Sequence, residues 1–471
     1  MKYTRGEKVE LRVEKLVYPN MGQGLLEGEI VQFKGGLPGQ KVRVKLKKKK
    51  NKKISGEIVE VLETSPLEKN VPCSMFEICG GCDFQTISYE SELMVKHQEM
   101  RDLFNANNLD GSLIKINRNP RLKGYRNKME YSFGDEVKDG KLVLGLHKRK
   151  MFYSIVDTLG CNIVDEDFNL IREYSQSFFA GKDVTYYHKK TLKGYLRYLI
   201  LRKSFNVADG EIMVNLVTSS QDIWAEEGDD REIKFKREKV LLDQYLEGLL
   251  KLKTNGKIES VVKTTNDSLA DAVIPEKVEI LWGRPYISEE ILDLRFNISP
   301  FSFFQPNVFT AKELYTRVRD FAGDLSEKLV YDLYSGTGTI SQVLAKTARK
   351  VIGVEIVEEA VRKAYENANI NGLYNIEFRA NDVLKEIESL KEDVDLVVLD
   401  PPREGIHPKA LEAIRDMGAE KIIYISCNPK SFVRDMETLG KAYKLEKAEA
   451  FDQFSRTKHV ECIALIQRVK S

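Results

Sequence analysis

The stretch Leu329-Val330-Tyr331-Asp332-Leu333-Tyr334-Ser335-Gly336-Thr337-Gly338-Thr339 decides the fold class of this 471-residue chain. Its first six residues follow a buried-strand pattern, and a helical pattern begins near Ile340. Between them, Gly336 and Gly338 form a strand-to-helix turn. Glycines there carry no Cβ, so a ligand is able to approach the backbone closely. The phosphate signature G-x-G-x-x-G is absent, which favours a cofactor without a pyrophosphate over a dinucleotide.

Outward from this turn, strands and helices alternate from about residue 300 to the end, the signature of a parallel α/β sheet. The strand Lys350–Val354 ends at Glu355, about 20 residues past the turn, where a carboxylate binds ribose hydroxyls. A third unit ends at Asn381-Asp382, a place to hold an adenine ring. The strand Val394–Leu399 ends in Asp400-Pro401-Pro402-Arg403. Ligands of such sheets bind outside the carboxyl ends of the strands, where all these residues fall. This order of an acidic residue, a glycine turn, a second acidic residue and Asp-Pro-Pro resembles the S-adenosylmethionine-dependent methyltransferases.

A fifth strand, Lys421–Ile425, runs into Ser426-Cys427-Asn428-Pro429. Asn-Pro forces a turn, so the Cys427 thiol stands at a strand end beside the expected cofactor rather than in mid-core. Cys462 lies within the strand-like run Val460–Ile466, and Glu461, near its start, reaches the same edge as a candidate base. A methyl donor, a thiol and a carboxylate together fit methylation of uracil at carbon 5. That carbon is too weak a nucleophile until a thiolate adds at C6, and a base must then take the C5 proton. The target base has to be unstacked or unpaired.

The amino-terminal region is different. Residues 1–60 hold 15 basic and 7 acidic side chains, whereas the whole chain is +2. Within Lys41–Lys53, nine of thirteen residues are Lys or Arg and none is acidic, which points to a polyanion such as nucleic acid. Alternating runs at Val9–Val13, Gly28–Phe33, Gln40–Leu46 and Glu57–Leu62 predict a small OB-like β-barrel of four or five strands. Residues 91–108 read as a helix that packs on the catalytic domain, and Glu226–Lys239 as an exposed charged loop. The expected division is 1–62 barrel, 63–295 mixed α+β central domain, and 296–471 Rossmann-like class I methyltransferase domain.

Cys73, Cys79 and Cys82, with the distant Cys161, supply four thiolates, which suit either tetrahedral zinc or an iron–sulfur cluster. The five-residue gap exceeds usual zinc spacing, and Gly80-Gly81 leaves room for a bulkier group. The longest apolar runs, such as Leu396–Leu399, are far short of the ~20 residues that span a bilayer, and the amino terminus has no apolar leader. No membrane partner and a cytoplasmic location are therefore expected. Six cysteines in so long a cytosolic chain suggest metal binding or catalysis rather than disulfides.

The block Ser302-Phe303-Phe304-Gln305-Pro306-Asn307, with DLYSGTGTI (332–340), LDPPREG (399–405), SCNP (426–429) and FDQFSRTKHVE (451–461), resembles the RNA 5-methyluridine methyltransferase family. The resemblance implies Cys427 as nucleophile, Glu461 as proton-abstracting base, and Gln305, Tyr334, Gly336, Glu355, Asp382 and Asp400 as cofactor contacts. The barrel resembles a TRAM domain, an RNA-binding module. The four cysteines resemble those of family members that carry a 4Fe-4S cluster, zinc being the alternative. Arg126, Lys128, Arg197 and Arg202 match basic family segments near the RNA, and Lys47 and Lys48 belong to the lysine run. A barrel plus a cysteine cluster resembles the ribosomal branch, so 23S rRNA is the expected substrate. Transfer RNA is the alternative, and a non-catalytic RNA-binding or ribosome-assembly protein is a further one. A radical enzyme is disfavoured, because the cysteine spacing is not C-x3-C-x2-C and four protein ligands leave no open iron. Nothing demands a dimer, and a monomer is expected.

Overall fold

The computed structural model describes residues 4–469 except 51–52, 70, 208, 225–230, 271 and 391–392. Six strands build the amino-terminal barrel: β1 (Lys8–Arg12), β2 (Lys15–Val17), β3 (Met21–Leu26), β4 (Glu29–Lys34), β5 (Lys41–Lys50) and β6 (Lys53–Glu63). Their order is β1-β5-β6-β4-β3-β2, with only β4 and β6 parallel. Sequence alternation predicted four or five; β2 and the glycine-containing β3 lack its apolar–polar alternation. In β3, Gly22 and Gly24 have no room for a Cβ: one built there would lie 2.4 Å from Phe33 or 2.3 Å from the Arg12 carbonyl. Val31, Phe33, Val42, Val44 and Ile54 fill the barrel, and Phe84, Ile87 and Val95 from beyond the cysteine cluster complete its core.

The chain then forms α1 (Tyr89–Asn105) and β7 (Ile114–Asn117). A seven-stranded sheet follows, built from β8 (Lys128–Gly134), β9 (Val143–Lys148), β10 (Met151–Asp157), β11 (Leu196–Lys203), β12 (Glu211–Thr218), β13 (Lys257–Thr265) and β14 (Lys277–Gly283). Two helices, α2 (Glu166–Ala180) and α3 (Arg231–Leu250), share a core with it through Phe168, Ile171, Leu241, Tyr245 and Leu249. The part of the expected Glu226–Lys239 loop that is described, from Arg231 on, is the start of α3. Its charges mask the helical periodicity, yet Lys236–Glu232 and Lys239–Asp243 pair one turn apart on the solvent side while Leu241, Leu242 and Tyr245 are buried.

The hairpin β15 (Ile287–Ile291) and β16 (Leu294–Ile298) leads into α4 (Val308–Ala322) and the eight-stranded sheet of the last domain. Its parallel part comprises β17 (Leu329–Leu333), β18 (Lys350–Glu355), β19 (Ile376–Ala380), β20 (Leu396–Leu399) and β21 (Lys421–Ser426). The helices α5 (Thr339–Ala345), α6 (Glu358–Ile370), α7 (Val383–Glu388), α8 (Pro408–Asp416) and α9 (Pro429–Leu439) connect these strands and lead out of the last. Finally β22 (Tyr443–Phe451) and β23 (Glu461–Arg468) add an antiparallel flank, giving the order β19-β18-β17-β20-β21-β23-β22-β7. The outermost strand, β7, comes from the stretch before residue 295.

The three parts are clamped together. On α1, Phe104 packs against Phe432 of α9 with ring centroids 5.6 Å apart and planes tilted by 33°, and the Glu99 carboxylate accepts from the barrel's Asn20 amide at 2.7 Å. Lys96 has no exposed side-chain area and pairs with Glu92 at 2.7 Å and with Asp452, just past β22, at 2.5 Å. No helix among the described residues is long and apolar enough to cross a membrane.

Candidate active site

The carboxyl ends of β17, β18, β20 and β21 open into a cleft of about 870 Å³. The backbone around it is unusual: Tyr334, Gly336 and Gly338 all have positive φ, at 68°, 55° and 74°. For a tyrosine that conformation is strained by roughly 1–3 kcal/mol, a strain that concentrates at functional sites. Gly338 cannot be replaced, since a Cβ there would sit 2.5 Å from Phe378. Glu355 braces the turn, accepting from the Gly336 amide at 3.1 Å and the Val357 amide at 2.9 Å.

Gln305, Tyr334, Gly336, Glu355, Asp400, Cys427 and Glu461 all line this one cleft. Asp382 does not. Its Oδ1 instead accepts from the Leu384 and Lys385 amides as the N-cap of α7, a use that an Asn-Asp pair before a helix equally predicts. Deep beside the turn, Asp332 accepts from Ser341 through one oxygen while its Oδ1 and the Ser335 hydroxyl are buried without partners. Orphaned polar atoms under a glycine turn fit a ligand carrying its own donors and acceptors, as S-adenosylmethionine does.

The cleft is electrostatically poised. Asp332 and Asp400 are each pushed up to about 7, mainly by burial, with the Asp332 charge contributing to the rise of Asp400. Glu461 is buried and pushed up to about 8, mainly by desolvation, with Asp400 adding and Arg403 opposing. Cys427 is half-buried and pushed up to about 12 by desolvation, then by Glu461 and Asp400, again against Arg403. Three acids and a thiol gathered in one place each disfavour the others' ionisation. The thiol also stands two residues before Pro429, the start of α9, where the helix dipole favours a thiolate.

Arg403 and His459 are site residues that the sequence reading quoted without a role. Arg403 donates to His459 Nδ1 at 3.0 Å, and its carbonyl accepts from Asn428 at 3.0 Å, so the Asp-Pro-Pro-Arg and Ser-Cys-Asn-Pro loops are tied together. His459 is pushed down to about 4 by burial, Arg403 and Lys458, which keeps the imidazole neutral and able to accept. Their signal in the sequence is adjacency alone: one ends Asp-Pro-Pro-Arg, the other precedes Val460-Glu461.

Of the expected RNA contacts, Arg126 lines the cleft, Lys128 is half-buried nearby on β8, and Lys47 and Lys48 are exposed on β5. Arg197 and Arg202 do not fit that role. They are buried at 4% and 5% exposure. Arg197 donates to the Asn266 and Ser268 carbonyls, and Arg202 to those of Pro300 and Ser302. Their guanidinium groups hold loops together, a use that residue type on a strand does not distinguish from an RNA contact.

Cys73, Cys79, Cys82 and Cys161 line a second, smaller pocket and all are free thiols. Cys79 Sγ accepts from the Gly81 amide at 3.4 Å and Cys82 Sγ from Gln85 Nε2 at 3.5 Å. Among the described residues, no three ligating side chains are gathered tightly enough to hold a single metal ion. Gly81 belongs to both pockets, so it separates the cysteine pocket from the catalytic cleft.

Comparison with known proteins agrees with this architecture. Residues 276–469 match the family described as tRNA (Uracil-5-)-methyltransferase, and residues 2–59 match the TRAM domain. Two relatives, each described as an uncharacterized RNA methyltransferase, come from Caldanaerobacter subterraneus and Clostridium tetani. They are 45% and 43% identical, covering 98% and 99% of this chain and 99% of each relative. The structure of the Pyrococcus abyssi tRNA (uracil-54, C5)-methyltransferase, solved with S-adenosyl-L-homocysteine, superposes with a TM-score of 0.72. It is 26% identical over 97% of this chain and 100% of that one. This chain belongs to the TRAM-containing RNA uracil-5-methyltransferase family, enzymes that use S-adenosylmethionine to methylate carbon 5 of uridine in RNA.

Proposed function

We propose that the enzyme methylates carbon 5 of a uridine in 23S rRNA through a covalent adduct between Cys427 and uracil C6. The observation carrying the mechanism is that Cys427 and Glu461 line one cleft with Gln305, Glu355 and Asp400. S-adenosylmethionine supplies an electrophilic methyl on a sulfonium. Gln305, Tyr334, Gly336, Glu355 and Asp400 would hold it.

Cys427 must lose its proton before it attacks, and Arg403 is the positive group that favours the thiolate. Its sulfur bonds to C6, and the electron pair of the C5–C6 double bond moves onto C5 and the adjoining carbonyl. C5 then takes the methyl carbon as the bond from that carbon to sulfur breaks, leaving a neutral thioether. The Glu461 carboxylate removes the C5 proton. The pair released re-forms the C5–C6 double bond and expels the Cys427 thiolate, so sulfur enters and leaves unchanged. Release of tritium from RNA labelled at uracil C5 tests this reading. It is expected to need both the methyl donor and Cys427.

The four-thiolate pocket suits a 4Fe-4S cluster as a structural tie between residues 73–82 and Cys161. N–H donors on Cys79 and Cys82 resemble the hydrogen bonds that tune cluster sulfurs. The five-residue gap between Cys73 and Cys79 and the Gly80-Gly81 pair favour a larger group over zinc. Iron and sulfide analysis of anaerobically purified protein tests this; stoichiometric zinc without iron would overturn it. The units 1–62, 63–295 and 296–471 would serve as RNA-binding barrel, central domain and catalytic domain of a cytoplasmic monomer.

The choice of 23S rRNA rests on the barrel and cysteines together. Transfer RNA is the second reading, favoured by the Pyrococcus abyssi neighbour, a tRNA enzyme aligned over nearly the whole chain. Mapping 5-methyluridine in RNA from a deletion strain separates them: loss of the mark from transfer RNA alone would overturn the ribosomal assignment.

A further inference from the structure

The tip of the β9–β10 hairpin carries His147-Lys148-Arg149-Lys150-Met151-Phe152-Tyr153. Phe152 and Tyr153 are 52% and 58% exposed, unusual for two adjacent large aromatics. They are nevertheless ordered by their neighbours. Phe152 stacks on His147 with centroids 5.2 Å apart and planes 3° apart, and Tyr153 meets Phe152 edge-on at 5.4 Å. Lys189 lies 4.4 Å from the Phe152 ring centre and Lys190 4.8 Å from that of Tyr153. No acidic residue occurs from Gly140 to Val156 or from Val184 to Val207, so the charged side chains these segments bring to the face are basic, Lys148 pairing with Glu136 at 3.1 Å.

The face joins two other basic or catalytic elements. Lys150 pairs with Glu57 of β6 at 3.2 Å, and the same carboxylate pairs with Lys47 of the barrel's lysine run at 2.9 Å. In the other direction, the His147 carbonyl accepts from the Gly80 amide at 3.1 Å, and the Arg149 amide donates to the Ile78 carbonyl at 2.7 Å. The next residue, Gly81, lines the catalytic cleft. The turn thus stands between the barrel's lysines and the loop that walls the active site.

We propose that Phe152 and Tyr153, flanked by Lys189 and Lys190, form a stacking platform for a single-stranded stretch of the substrate RNA that runs outside the catalytic cleft. Half-exposed aromatic rings with lysine ammonium groups over them combine stacking surface and positive charge, the pair that binds successive bases and their phosphates largely irrespective of sequence. The charge favours RNA over an apolar protein partner, and the proposal rests on the RNA-methylating reading above.

The test uses the full-length protein and a fluorescein-labelled 20-nucleotide oligouridylate followed by anisotropy. Phe152→Ala with Tyr153→Ala is expected to weaken binding by about tenfold or more, from the loss of base stacking. The swap Phe152→Tyr with Tyr153→Phe keeps two rings and should retain wild-type affinity. Lys189→Gln with Lys190→Gln should flatten the logarithmic salt dependence by about 1.4, two phosphate contacts on a single strand. Binding of S-adenosylhomocysteine and the thermal midpoint should be unchanged in every variant. Affinity within twofold of wild type in the double alanine variant overturns the platform and hands the face to another partner; so does equal loss in the ring-preserving swap. Tritium release by the wild type is read separately: its absence would defeat the methylation reading while leaving the binding comparison intact.

Discussion

Ser426 faces Cys462 across the antiparallel ladder between β21 and β23. Cys427 follows the first of these residues and Glu461 precedes the second, so one register pair delivers the thiol and the carboxylate to the same end of the sheet. A one-residue slip would turn Glu461 to the opposite face. The placement of the proposed nucleophile and base is therefore a property of strand pairing.

Cys427→Ala is expected to abolish both turnover and covalent adduct while leaving RNA affinity within about twofold, because the thiol bonds to uracil only after the RNA is bound. An assay with 5-fluorouracil-substituted RNA reads the adduct directly, since fluorine at C5 cannot be removed as a proton. Turnover near the wild-type rate would exclude Cys427 as the nucleophile.

Glu461→Gln keeps the shape but loses the base. Methyl transfer is expected to proceed and release to stall, so that enzyme–RNA adduct accumulates with natural RNA on denaturing gels. Free methylated product at an ordinary rate would remove Glu461 from the mechanism.

The raised carboxyls give a pH test. Glu461 and Cys427 both act only when ionised, and their pKa values are raised to about 8 and about 12, so kcat/KM is expected to climb as pH rises and to keep climbing beyond about 8. A sulfonium in the cleft stabilises the ionised carboxylates, whereas the thioether of S-adenosylhomocysteine does not. The methyl donor should therefore gain affinity over S-adenosylhomocysteine between about pH 6 and 8, as Asp400 and Glu461 ionise. Titration calorimetry across that range checks it; a pH-independent affinity ratio would count against charge coupling.

Arg403 lowers both Cys427 and Glu461. Arg403→Gln removes that charge, so both groups should titrate higher and the ascending limb of the rate profile should move to higher pH. A lower rate with an unmoved profile would assign Arg403 to loop tethering, through its contacts with His459 and Asn428.

Lys96→Ala would leave Asp452 buried without its cation and Glu92 with Arg456 alone, at 3.3 Å. Breaking one side of a buried ion pair costs about 3–5 kcal/mol, far more than an exposed pair. Chemical denaturation should therefore show marked destabilisation. Because Asp452 also accepts from Ser455, and the Arg456 amide donates to Glu92, the loop before Glu461 should loosen with it.

Much of this protein is written locally. The strand Leu329–Leu333, its glycine turn and the acidic strand ends are legible because a parallel strand buried on both faces is nearly all apolar, here interrupted only by Asp332, and the polar residues after it fall at its carboxyl end. The Cys427 turn is legible because Asn-Pro permits little else. What the sequence does not determine is which identical residue types meet. Arg126 reaches the cleft while Arg197 and Arg202 are spent on carbonyls, although all three lie in basic segments. Asp382 caps a helix while Asp400 faces the ligand space. The contribution of Arg403 and His459 depends on a 3.0 Å contact between positions 56 residues apart. Such contacts are set by how strands pair and loops pack, because a side chain's charge state and partners depend on burial and distance in the folded chain rather than on its neighbours along it.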